Sequence, residues 1–67
     1  MKEYSYTPML KLTMKRKEKR LTIKSLALKT GLHYNTVISY ELGRHRPSID
    51  NLQKIADVLE CEVKDIV

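Results

Sequence analysis

The chain has 67 residues, a formal net charge of +5, 42% hydrophobic and 31% charged side chains, and a single cysteine. That length allows one small domain, and it is hard to enclose a substrate pocket of several hundred cubic ångströms with so few residues. Apolar residues spread along nearly the whole chain exclude a disordered tail, and one cysteine excludes an internal disulfide.

Pro8 sets off residues 1–8 as an arm, flexible or a short strand in which Tyr4 and Tyr6 alternate with polar neighbours; residues 9–67 form the domain. From about Met9 to Lys19 the residues are good helix formers, with Met9, Leu12 and Arg16 on one face. Thr22 is the expected N-cap of a second helix, in which Ile23, Leu26 and Ala27 follow helical spacing until Gly31 stops it. A third helix is expected from about His33 to Glu41, with Val37, Tyr40 and Glu41 facing inward and Gly43 ending it. Ser48 then caps a fourth, where Asp50 suits the helix dipole and Leu52, Ile55, Ala56 and Leu59 form the clearest apolar stripe. A last short turn spans about Val63 to Ile66. The expected fold is all-α, five short helices around one small core.

The charge is unevenly placed. Residues 10–46 carry ten basic side chains against Glu18 and Glu41, a net +8, whereas residues 47–67 sum to −3. A basic half followed by an acidic one points to a polarised surface whose basic side faces a polyanion. Taken alone, Lys15 to Arg20 also reads as a solvated helix face, and charge does not separate DNA from RNA or an anionic membrane.

Two helices joined through Gly31 make a helix-turn-helix, and Ala27 supplies the small residue that two steeply crossing helices need at their closest approach. The run from Leu21 to Leu32 (LTIKSLALKTGL) resembles the first half of the helix-turn-helix of the phage Cro and repressor, or XRE-type, family. The run from Thr36 to Ser48 (TVISYELGRHRPS) resembles its second half, and Leu52 to Leu59 (LQKIADVL) its fourth helix. The likeness spans about residues 10–67.

This resemblance implies a compact five-helix bundle of the lambda-repressor-like DNA-binding type, with the third helix entering the major groove. Base contacts are then expected from Tyr34, Asn35, Thr36, Ile38 and Ser39, Asn35 being able to pair with adenine in bidentate fashion. Backbone contacts are expected from Thr22, Lys24, His33, Arg44, His45 and Arg46, through a helix N-terminus and through charge. Arg16 and Glu41 match positions that often form a buried structural ion pair in the family. Three positions depart from its pattern: Ile23 where glutamine is frequent, His33 where serine usually caps, and Lys15 at a usually apolar core position.

The expected function is a sequence-specific transcriptional regulator, a repressor acting as a homodimer on palindromic double-stranded DNA. The dimer surface is expected at Leu59, Cys61, Val63, Ile66 and Val67, with the Tyr4–Tyr6 arm as a further contributor. The alternative is a protein-interaction module, such as an antitoxin or adaptor; an RNA binder would call for aromatic residues, yet Phe and Trp are absent. His33, His45 and Cys61 lack metal-ligand spacing, and Cys61 reads as core, so no catalytic residue, metal or cofactor is expected. No small-molecule ligand is expected either. With no run approaching the ~20 apolar residues of a membrane span, no membrane partner is expected, and the expected compartment is the cytoplasm.

Overall fold

The structure, a computed structural model, describes residues 6–67. Among the described residues four α-helices follow one another: α1 (Leu10–Glu18), α2 (Ile23–Thr30), α3 (Tyr34–Leu42) and α4 (Ile49–Leu59). The fifth helix expected from sequence is a single 3₁₀ turn, Val63–Asp65. It stays short because its three residues leave room for only the first i→i+3 bonds, from Asp65 N–H to Glu62 and from Ile66 N–H to Val63.

Three of the four helix starts are capped by side chains. Thr22 Oγ1 accepts from Ser25 N–H at 3.0 Å, His33 Nδ1 from Asn35 N–H at 3.1 Å, and Ser48 Oγ from Asn51 N–H at 3.2 Å. All four helix ends share one device, a residue in the left-handed region followed by a bond back across the last turn. The four residues are Arg20, Gly31, Gly43 and Glu60, and the bonds run from Leu21, Leu32, Arg44 and Cys61 N–H to the carbonyls of Arg16, Ala27, Ser39 and Ala56. Arg20 and Glu60 have side chains at φ 57°, a conformation that costs an L-residue roughly 1–2 kcal/mol. Arg20→Gly is therefore expected to stabilise the protein by up to about 1 kcal/mol, read as a higher thermal midpoint by circular dichroism. An unchanged or lowered midpoint would contradict a strained end to α1.

The core consists of Leu12 from α1, Leu26 and Ala27 from α2, Val37 and Tyr40 from α3, Ile55, Ala56 and Leu59 from α4, and Ile66. Helix α2 is central, packing against both α3 and α4, while α1 rests on α3 and the 3₁₀ turn on α4. Leu59 and Ile66 are completely buried, so these two expected dimer residues are spent on the protomer's own interior. Cys61 is only half-buried rather than core, and that burial pushes its thiol pKa up. Lys15, at a usually apolar position, is half-buried and reaches Glu18 at 3.5 Å.

Residues 6–8 are not strand; Tyr6 N–H donates to the Gly43 carbonyl at 3.0 Å, which ties the segment to the end of α3. The part of the expected arm in residues 1–5 lies outside the described residues. Elsewhere on the surface Lys19 Nζ meets Glu60 Oε1 at 2.7 Å. This hydrogen bond raises the lysine pKa and lowers that of the carboxylate, and it links the ends of α1 and α4. No helix among the described residues is long and apolar enough to cross a membrane.

Candidate nucleic-acid interface

Helix α3 is amphipathic because its sequence alternates buried and open positions at helical spacing. Val37, Tyr40 and Glu41 are buried, and this orients the other side of the helix outward. Tyr34 and Asn35 are exposed at its first turn, and Ile38 and Ser39 are half-exposed one turn later. Asn35, Ile38 and Ser39 share one face by their i, i+3 and i+4 spacing. Thr36, also expected to read bases, is half-buried and points about a quarter-turn from Asn35. Leu42 continues the outer face at i+7 from Asn35 and is exposed; the sequence reading missed it, although its spacing from Asn35 was the available signal.

The expected backbone-contact residues flank α3 at its two ends. At the start, Thr22, Ile23 and Lys24 of the α2 N-terminus line one open depression together with Tyr34 and Arg16. His33 is exposed at the α3 N-cap. At the far end Arg44, His45 and Arg46 are all exposed. His45 and Arg46 border a different groove, shared with Tyr6, Leu10 and Leu52, so they do not meet Thr22 and Lys24. A nine-residue helix is about 13 Å long at 1.5 Å per residue. The two groups of residues thus lie at the two ends of α3.

Buried polar bonds hold α3 in this position. Arg16 Nε donates to Glu41 Oε2 at 2.7 Å and Arg16 Nη2 to Oε1 at 3.1 Å, both residues being 8% exposed. Arg16 Nη1 also donates to the Leu21 carbonyl at 2.8 Å, and Thr13 Oγ1 donates to Glu41 Oε1 at 2.8 Å. The ion pair expected from the resemblance is therefore present, joined by a threonine that sequence reasoning did not single out. On the other side Asn51 Nδ2 donates to the Tyr40 hydroxyl at 2.9 Å, fastening α4 to α3 across the Arg44–Pro47 loop. Neither Thr13 nor Asn51 carries a periodic or capping signal that names its partner.

A helix-turn-helix family model matches residues 12–66. The chain is similar to the restriction-modification controller protein C.AhdI from Aeromonas hydrophila, whose crystal structure superposes with a TM-score of 0.81. The two are 30% identical in sequence over 85% of this chain and 86% of that one. No curated protein sequence matches. A helix-turn-helix with a buried Arg16–Glu41 brace and an open α3 face, matched over most of its length, belongs to the XRE-type helix-turn-helix family of DNA-binding transcription regulators.

Proposed function

We propose that this protein is a sequence-specific repressor that binds a palindromic operator as a homodimer, with α3 in the major groove. The observation that carries the reading is the exposed Tyr34–Asn35 turn of α3 set between two clusters suited to phosphate. In this reading Asn35 reads a base, with Tyr34, Ile38 and Ser39 making the neighbouring contacts and Thr36 at the flank. Thr22, Lys24, His33, Arg44, His45 and Arg46 hold the duplex backbone. A single short helix reads only a few base pairs, so two copies, with half-sites about one helical turn apart, supply the specificity one lacks. The dimer face lies at Cys61, Val63 and Val67, which remain at the surface where Leu59 and Ile66 do not. A dimer seated on a promoter represses by occupancy. The likeness to a restriction-modification controller protein supports a regulator over an adaptor.

Selection from random duplex DNA is expected to enrich a two-fold symmetric motif. On the selected duplex, Asn35→Ala should weaken binding by about 1–3 kcal/mol and relax preference at one position of each half-site. Arg46→Ala should weaken binding to all sequences alike and flatten the dependence of log K on log salt by about one for each protomer bound. An enriched motif without symmetry, or a 1:1 complex by sedimentation, contradicts the dimer; no enrichment favours the interaction module.

A further inference from the structure

The cap of the recognition helix is an imidazole, and an imidazole can cap only in one protonation state. His33 has the extended backbone of an N-cap (φ −71°, ψ 146°), and its Nδ1 accepts from Asn35 N–H at 3.1 Å. Its carbonyl also accepts from Thr36 and Val37 N–H, at 3.0 and 3.2 Å. The two backbone bonds survive any change of charge, but the side-chain bond needs a lone pair on Nδ1. Neutral His33 must therefore carry its proton on Nε2, a tautomer inferred from the bond. In the imidazolium both nitrogens donate, so Nδ1–H opposes Asn35 N–H, and a positive charge sits at the unfavourable end of the helix dipole.

We infer that His33 is a positioning residue whose neutral cap holds the first turn of α3, and with it Asn35 and Tyr34, in the geometry that discriminates operator from other DNA. This rests on the proposed major-groove reading. Protonation then has two opposed consequences. It adds a positive charge beside the phosphates, which strengthens binding to any duplex, and it releases the turn that carries the base contacts, which weakens discrimination. A histidine that merely touches phosphate raises both affinities together. Around this corner the last turn of α2 carries Lys29, and the first turn of α3 has no acidic residue. None of the side-chain ion pairs among the described residues involves His33.

The test measures affinity for the selected operator and for a random-sequence duplex of equal length between pH 7.5 and 5.5. It uses the full chain, with and without His45→Gln to separate the second imidazole. The ratio of the two affinities is expected to fall about three- to tenfold on acidification in the parent protein. It should stay within about twofold in His33→Asn, whose amide caps without titrating, and be low at every pH in His33→Ala. A ratio that is constant or rises in the parent, or falls equally in His33→Asn, overturns the inference. So does a free-protein ¹⁵N spectrum showing the neutral ring with its proton on Nδ1. If the parent fails to discriminate at any pH, the major-groove reading itself is overturned and this inference with it.

Discussion

Glu41→Ala is expected to lower folding stability by about 3–5 kcal/mol, because it strands the largely buried Arg16 guanidinium without its counter-charge. The carboxylate accepts from Arg16 through both oxygens and from Thr13, so one deletion removes three bonds and leaves Thr13 only its longer one to the Met9 carbonyl, at 3.4 Å. A domain of this size has only roughly 3–5 kcal/mol to lose, so the variant should be largely unfolded at room temperature, as urea titration by circular dichroism would register. The paired replacement Arg16→Met with Glu41→Leu removes both charges and keeps the volume apolar. It is expected to recover most of the loss, since the penalty arises from an uncompensated charge more than from the pair's net attraction. A single variant losing less than about 1 kcal/mol would mean that water reaches the pair. Because the pair ties α1 to the end of α3, its loss should remove DNA binding together with stability.

Gly43→Ala should be nearly as damaging, at about 2–4 kcal/mol. Gly43 sits at φ +84°, and a Cβ there would overlap the Tyr6 carbonyl oxygen and crowd Pro8 N and the Thr7 carbonyl carbon, all of them backbone. The segment before α1 must then move away, breaking the bond from Tyr6 N–H to the Gly43 carbonyl and loosening the one from Met9 N–H to Glu41. Gly31 provides the internal comparison, with a similar φ of +76° but open space around the added methyl. Gly31→Ala is expected to cost only about 1–2 kcal/mol, the backbone strain alone. Equal losses in the two variants by urea titration would show that the 6–8 segment does not bear on the end of α3.

Most of the local architecture is legible in the residues themselves. Thr22 and Ser48 cap where short polar side chains precede an apolar period, Gly31 and Gly43 end helices where a left-handed residue is needed, and the α4 stripe is plain. These signals are readable because each is complete within one or two turns of chain. The resemblance added the partnership of Arg16 with Glu41, 25 residues apart, which no local rule connects.

Other features depend on elements distant in sequence. Arg20 and Glu60 take the left-handed conformation without glycine, and the Lys19–Glu60 bridge joins the two helix ends they close. Leu59 and Ile66 look like surface for a partner until the 3₁₀ turn packs on α4 and encloses them. Asn51 is an ordinary first-turn polar residue until Tyr40 arrives beside it, and His33 an unusual cap until its Nδ1 is seen to accept from Asn35.

The residues alone, then, carry helices α1 to α4, the turn at Gly31, the basic half with its net +8 and the family of regulators to which the chain belongs. Tertiary packing settled which apolar residues stay at the surface, what braces α3 from both sides, and which nitrogen of His33 accepts from its first turn. Helix period and capping are short-range and are written in neighbouring residues. Burial and side-chain pairing are long-range, and they are settled only when the helices close on one another.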